Sequence, residues 1–324
     1  MPCSWREPRS GGPRERGSGS LRSVSIIIAA HNEGDHVCWT IDSVLKNTRY
    51  PELDIVLVDD GSADASFAFL AREPYRRDGR LRQYRFETSV GCIRARHQGV
   101  LLASGDIIVF LDAHMAVQPG WLDTLISSLE RLGPAAAITP NISPVMEDSW
   151  LPGERNDHVA GLDEKLDFIW FPEDQIPPTG LVSTVLGCCT VMPKSLYYDI
   201  GGFDLGLRRW GCEFIDLIIK VYAIGGGCYY EPAVTVGHLF RNVFPYAMSY
   251  RQLNYNKLRT GYVHFTESCF RRLVGFLVPS PEIVEAMLDF RADQAELDGR
   301  RAGQCNNHRD PAWFTRTFLP GLSG

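Results

Sequence analysis

The sequence predicts an α/β protein with a mostly parallel central sheet flanked by helices, and two observations carry that reading. Short apolar runs alternate with helical periodicity from Val24 onward, the order that builds βαβ units. Polar clusters follow the runs, at the carboxyl ends of the expected strands, where sheets of this kind collect their ligands. The first strand is "VSIIIAA", Val24 to Ala30, and the helix after it carries Val37, Ile41, Val44 and Leu45 on one face. "DIVLVDD", Asp54 to Asp60, is the second strand and "RQYRF", Arg82 to Phe86, the third. The segment "GCIRARHQGVLLASG" leads to the fourth strand, "DIIVFLD", Asp106 to Asp112. Leu122, Leu125, Ile126 and Leu129 mark the next helix, Ser183 to Met192 a further strand, and Phe214, Leu217, Ile218 and Val221 another buried helix. Between Pro140 and Pro178 the chain is rich in Pro, Asp, Glu and aromatic residues with weak periodicity, which predicts a long, functional connection over the sheet. The resulting division is a disordered leader over 1–22, one catalytic domain over 23–280 and a helical C-terminal extension over 281–324 packed on it.

With 324 residues, 44% of them hydrophobic and 22% charged, the chain has the material for a large core. A net charge of -6 excludes a general nucleic-acid binder, which needs a basic stripe, but leaves room for a local anion pocket. Nine scattered cysteines without a CxxC pair predict neither a disulfide framework nor a zinc ribbon and fit a reducing compartment. No apolar run approaches the ~18 residues of a membrane span. The leader is rich in Arg, Gly, Ser and Pro without the apolar centre of a signal peptide, so a soluble, cytoplasmic enzyme is expected.

Three constellations carry chemistry. Asp112 and His114 stand two apart at a strand end, so their side chains project the same way and reach one divalent cation; the same spacing also suits a cap or turn. "TVGHLFRN" places His238 after an apolar stretch and three residues before Arg241, offering a third ligand beside a cation suited to phosphate. "RWGCEFIDLIIKVY" sets Glu213 at a helix start behind Gly211 and beside Trp210, where a carboxylate either favours the helix N-terminus or serves a reacting sugar carbon. His31, Asn32 and Glu33 follow the first strand, and Asp59 and Asp60 the second.

Taken together, the strings "SIIIAAHNE", "DIVLVDDGS", "GCIRARHQG", "VFLDAH", "GWLDTLISSL", "RWGCEFIDLIIKVYAIGG", "VGHLFRNVFPY" and "RDPAWFTRTFLPGL" run in order along nearly the whole chain after Ser23. In them the chain resembles nucleotide-sugar glycosyltransferases of the GT-A fold, and within that fold the polypeptide N-acetylgalactosaminyltransferases (family 27), with family 2 as the wider kin. The resemblance implies that Asp112, His114 and His238 hold a manganese or magnesium ion on the diphosphate of a uridine diphosphate (UDP) sugar. It implies further that Asp60 and Glu33 contact the nucleoside near Ala29 and His31, that Arg241 and Tyr246 close over the diphosphate, and that Glu213 sits beside the sugar with Trp210 and Gly187. Asp112, Arg241 and Glu213 are then the residues expected to carry catalysis.

Departures from the family pattern shape the rest of the expectation. Inverting family 2 enzymes carry a Glu-Asp pair at this helix start, and Phe214 stands in place of that Asp, which favours transfer with retention of configuration unless Asp216 acts as the base. Cys188 replaces the second residue of a paired-glycine stretch beginning at Gly187, so the donor sugar is read as an N-acetylhexosamine or a hexose; with Cys189 it reads equally as a small core residue. Ala29 stands where the family has a Thr near the nucleoside. The animal relatives carry a membrane anchor and a lectin domain whose patterns this sequence lacks, which suggests a hydroxyl-bearing small-molecule, lipid-linked, peptide or natural-product acceptor. Arg94 and Arg96 face either a diphosphate or solvent, "FIWFPED" (Phe168 to Asp174) forms either an acceptor platform or packing, and "FRADQAELDGRR" reads as an exposed helix of mixed charge with no role. The competing readings are an inverting enzyme, a catalytically silent nucleotide-sugar binder and a metal-dependent phosphoester hydrolase.

Overall fold

A computed structural model describes residues 22–241, 244, 247–278, 282–303 and 308–323. The leader, apart from Arg22, lies outside the described residues. The apolar runs form strands β1 (Val24–Ala30), β2 (Leu53–Asp59), β3 (Leu81–Arg85) and β4 (Ile107–Asp112), with helices α1 (His36–Asn47) and α2 (Cys92–Leu102) between them. β1, β2 and β4 are almost wholly buried because helices cover both faces of the sheet, and this is why they read as continuous Ile and Val rather than as alternation. Side chains still alternate across the sheet: Ile26 and Ile28 join Val37, Ile41, Leu122 and Leu125 on one side, while Ile27 joins Ile93, Val100 and Phe214 on the other.

β5 (Met115–Val117), α3 (Trp121–Leu132), β6 (Ala136–Met146) and the two-residue β7 (Leu151–Pro152) follow, then a separate hairpin of β8 (His158–Leu162) and β9 (Phe168–Pro172). β10 (Cys189–Pro193), α4 (Lys194–Asp199), α5 (Glu213–Ala223) and β11 (Gly227–His238) complete the sheet, whose order is β3-β2-β1-β4-β10-β6-β11-β5 with β7 paired to β6. The pairs β2–β3, β1–β2, β1–β4 and β6–β11 are parallel, and β10 lies antiparallel between β4 and β6. The sheet is thus mixed and mostly parallel, as expected.

Within the sheet, two segments differ from the sequence reading. The connection from Pro140 to Pro178 carries strands: β6 runs through Pro140 and Pro144, because between Thr139 and Pro144 it pairs with β11 alone, and a strand with one open side tolerates residues that lack an N–H. The strand expected from Ser183 begins only at Cys189, since the chain doubles back just before it, the Cys189 amide donating to the Leu186 carbonyl.

After the sheet come α6 (Tyr250–His264), α7 (Glu267–Leu277), α8 (Glu282–Ala292), α9 (Gln294–Ala302), α10 (Trp313–Phe318) and α11 (Pro320–Ser323). α8 and α9 pack on α6, and Trp313, Phe314 and Phe318 of α10 close around Tyr222 of α5. The segment "FRADQAELDGRR" is therefore not a free solvated helix. Leu297 is fully buried in it, and its acids reach inward to Arg208, Tyr255 and Arg259.

Candidate active site

β1, β2 and β4 end side by side, and their carboxyl ends open into a cavity of about 510 Å³. Its walls include Ala29 and Ala30 at the end of β1 with His31 and Glu33 just beyond, Asp60 after β2, Ser89 and Gly91 before α2 with Cys92 and Arg96 in it, Asp112 at the end of β4 with Ala113 and His114 following, and Arg209, Trp210 and Gln252. Seven of the residues assigned from the sequence, Ala29, His31, Glu33, Asp60, Asp112, His114 and Trp210, thus share one space. Gly187, Glu213, His238 and Arg241 stand behind that wall, each touching a lining side chain. Tyr246 lies outside the described residues.

Sheet topology brings the three metal-ligand candidates together. Asp112 is the last residue of β4 and His114 follows two positions on, while β11 arrives antiparallel to β5 with His238 opposite Met115 and the Leu239 amide donating to the His114 carbonyl at 3.1 Å. One ligand atom from each of Asp112, His114 and His238 lies within 4.8 Å of the others. The Nδ1 atom of His238 is buried without a hydrogen-bond partner, which costs free energy, whereas Nδ1 of His114 faces the Glu33 carboxylate. Burial, reinforced by His114, pushes the His238 imidazole down to about 4, so at neutral pH it is the uncharged ring a cation requires. Two imidazoles and a carboxylate suit a borderline divalent ion.

Glu33 braces this set from behind. Its buried carboxylate pairs with Arg241 and stands 3.3 Å from His114 Nδ1, with Arg241 also donating to His36 Nδ1 at 3.2 Å. Burial alone would raise the Glu33 carboxyl, but the facing His114 and Arg241 outweigh it and hold it at about 2. The carboxylate expected at the nucleoside is therefore engaged with the metal-ligand candidate and with the cation expected at the diphosphate. Asp60 accepts from the backbone amides of Val90 and Gly91 and from Ser89 Oγ, fixing the turn into α2. His31 Nδ1 is 2.7 Å from the Asp60 carbonyl, which orients its ring along the wall.

Arg96 is the residue the sequence reading left undecided. Its guanidinium is buried, with one nitrogen 2.5 Å from Asp112 Oδ1 and another 2.7 Å from Glu213 Oε1. Burial opposes its charge, and the carboxylates more than restore it, so it remains a cation tying the expected metal ligand to the expected catalytic carboxylate. The signal was present: Ile93, Arg96 and Val100 follow helical spacing, so Arg96 falls within the buried face of α2. Arg94, by contrast, donates to the Leu205 carbonyl.

Glu213 opens α5 from a strained approach. Arg209, Gly211 and Cys212 all adopt positive φ, and the two that are not glycine cost about 1–2 kcal/mol each. The approach is held against α2, where a Cβ on Gly91 would lie 2.6 Å from Arg209 Cα. The Gly211 amide donates to Glu213 Oε2 at 2.9 Å, so both carboxylate oxygens are engaged. Gly187 packs against Phe214, whose ring would meet an added Cβ at 2.8 Å. Cys188 and Cys189 are buried among core residues rather than in the cavity wall. Asp216 faces away from the cavity, paired with Lys220 at 2.6 Å and His264 at 2.7 Å.

Comparison with known proteins bears on this geometry. The family described as Glycosyl transferase family 2 matches residues 25–201. Polypeptide N-acetylgalactosaminyltransferase 3 of Drosophila melanogaster is 30% identical over 242 residues, covering 70% of this chain and 36% of the relative. Polypeptide N-acetylgalactosaminyltransferase 13 of Homo sapiens is 26% identical over 319 residues, covering 93% and 55%. The chain spans about a third to just over half the length of these curated relatives. Among solved structures, GalNAc-T7 with UDP, GalNAc and Mn2+ superposes with a TM-score of 0.75 at 23% identity, over 92% of this chain and 57% of that one. S. aureus TarS 1-349 in complex with UDP-GlcNAc gives 0.57 at 16% identity, over 92% of each. With its family match across more than half its length and its GT-A architecture, this chain belongs to glycosyl transferase family 2.

Proposed function

We propose that the chain is a metal-dependent glycosyltransferase that moves an N-acetylhexosamine or hexose from a UDP-sugar to an acceptor hydroxyl, with retention of configuration. The observation that carries this reading is the convergence of Asp112, His114 and His238 at the edge of a 510 Å³ cavity at the carboxyl ends of β1, β2 and β4. A divalent ion bound there supplies charge neutralisation for a leaving diphosphate. Glu33 pairs with both His114 and Arg241, so Arg241 stands beside Arg96 among the cations close to the triad that suit a diphosphate. Arg96 keeps Asp112 and Glu213 in place, and Trp210 supplies an aromatic wall for a sugar.

Retention is supported by what the acids are doing. Asp216 is committed to Lys220 and His264, and Glu213 to Arg96 and the Gly211 amide, so neither stands ready to deprotonate an acceptor from the far side of the sugar. In the front-side alternative the sugar–phosphate C–O bond breaks, the new glycosidic bond forms on the same face, and the acceptor proton passes to the leaving diphosphate. A peptide acceptor is favoured over a natural product: the curated relatives are named for polypeptide substrates, and an exposed aromatic path leads out from the triad, with Phe240 4.6 Å from the His238 ring and 6.2 Å from Trp170 in β9, whose Phe168 and Ile169 are also exposed.

The test is calorimetric titration of UDP, UDP-GalNAc, UDP-GlcNAc and UDP-glucose with and without Mn2+, followed by mass spectrometry of Ser/Thr peptides incubated with the preferred donor. Mn2+-dependent UDP binding that is lost in Asp112→Asn and His238→Ala, together with a mass gain of one sugar on peptide, is expected. Equal UDP binding with and without metal overturns the site, and binding without turnover favours the silent nucleotide-sugar binder.

A further inference from the structure

The acids of α8 and of the α8–α9 junction point at the loop that presents Trp210 and Glu213. Asp289 Oδ2 lies 2.5 Å and Asp293 Oδ2 3.3 Å from the Arg208 guanidinium, which is stacked 3.7 Å from the centroid of Tyr255, itself hydrogen-bonded to Asp293 at 2.6 Å. Arg251 of α6 holds Asp289 from the other side through two hydrogen bonds. The backbone of the same loop is gripped from α6, where Asn256 accepts from the Arg208 amide and donates toward the carbonyls of Arg208, Trp210 and Gly211 at 2.9–3.0 Å.

Immediately after Arg208 come three left-handed residues in four, Arg209, Gly211 and Cys212, and then Glu213. Backbone held in this region persists only where its surroundings over-determine it. On the cavity side Arg209 ties the loop to the start of α2, its carbonyl accepting from Cys92 Sγ and its side chain donating to Ser89 Oγ just before that helix. Further constraint comes from behind, through Asn256 and the Arg208 ion pairs, beside the packing of Trp210 on Phe244 and of Leu253 on Gly211.

We propose that Asp289 and Asp293 are positioning residues of the catalytic centre: by gripping Arg208 they hold segment 209–212 in the conformation that puts Trp210 in the cavity wall and the Glu213 carboxylate on Arg96. The C-terminal helices are then part of the apparatus that shapes the donor-sugar pocket. The kinetic consequence rests on the glycosyltransferase reading, whereas the mechanical consequence does not.

The experiment uses the full chain with Asp289→Asn and Asp293→Asn combined, compared with Glu267→Gln, which removes an exposed ion pair to Arg271 on α7. Hydrogen exchange reads the loop directly, because the Trp210 amide donates to the Arg208 carbonyl and the Gly211 amide to Glu213. Exchange at these amides is expected to quicken at least about tenfold in the double variant and not in Glu267→Gln, with Mn2+-dependent UDP affinity unchanged. Turnover in donor hydrolysis is expected to fall about 10- to 100-fold at constant KM, the usual effect of displacing a reacting constellation by an ångström, and Asp289→Glu is expected to retain most of it. Exchange and turnover equal to those of Glu267→Gln would overturn the proposal. Should the double variant fail to fold, Arg208→Lys keeps the charge but not the fork that reaches both carboxylates, and the same outcomes apply. If the wild-type chain turns over no UDP-sugar, the functional reading fails, and the exchange result still decides the mechanical one.

Discussion

Replacing Arg96 by Met isolates the electrostatic centre of the site. Methionine keeps the apolar stem of arginine to about Nε, so the change removes the charged fork while retaining the packing of the stem. Two carboxylates lose their common partner: Glu213, which keeps one amide donor from Gly211, and Asp112, which is one-fifth exposed. Breaking a buried ion pair by deleting one partner costs about 3–5 kcal/mol, and the partial exposure of Asp112 places this case toward the lower figure. An unfolding entropy of about 2.1 cal/mol/K per residue gives about 0.7 kcal/mol/K for 324 residues, so the melting temperature should fall by about 4–7 °C, toward the smaller figure. Mn2+ should then restore more stability in the variant than in the wild type, because an ion neutralises the carboxylate that Arg96 no longer holds; at a hundredfold excess over Kd, binding alone contributes about 2.7 kcal/mol. Thermal melting with and without Mn2+ measures both effects. Adding Glu213→Gln to the variant should recover part of the loss, since one orphaned charge is removed. Melting of Arg96→Met within about 1 °C of the wild type would refute the reasoning, because a stranded pair of buried carboxylates cannot be that cheap.

Three further outcomes are expected. Glu213→Gln should lower turnover at least about tenfold while changing UDP-sugar affinity less than about threefold, measured by donor hydrolysis and calorimetry; equal losses in both would assign Glu213 to folding alone. Cys188→Gly, which removes a buried core side chain, should lower stability by about 1–2 kcal/mol in denaturant titration without altering the order of preference among UDP-GalNAc, UDP-GlcNAc and UDP-glucose. Asp289 and Glu296 are held at about 2 by hydrogen bonds from Arg251 and Arg259 respectively, below their ordinary values of 3.8 and 4.5. The stability they contribute is therefore complete above the ordinary range and is lost as pH falls from there toward about 2, so melting temperature should drop through that window, less steeply in Asp289→Asn.

The first half of the fold was legible because β1, α1, β2 and β4 carry uninterrupted patterns, and the clustering of Asp112, His114 and His238 because each stands at the end of an apolar run and the family resemblance groups them. β6 was hidden by Pro140 and Pro144, which are tolerated only because one side of the strand is open, a property of topology rather than of local sequence. Arg96 was ambiguous because a charge within an apolar stripe has no reading until its partners, 16 and 117 residues away in the chain, are in place. The orientation of Cys188 depends on a reversal before β10 that the apolar run conceals. The acids of α8 and α9 carry no periodicity that points to Arg208, and only packing against α6 discloses them.

β11 has one more consequence. It delivers His238 to the triad only after pairing in parallel with β6 and then, past an irregularity between Glu231 and Thr235, antiparallel with the three-residue β5 at the sheet edge. Asp112 and His114 are made early in the chain and His238 late, so closing the triad is a long-range event that local structure cannot accomplish alone. A cation bound across these strands would act as a clasp on the order of assembly: it would favour chains that have completed the sheet, and its withdrawal would loosen the β5–β11 edge first while leaving the β1–β4 half intact.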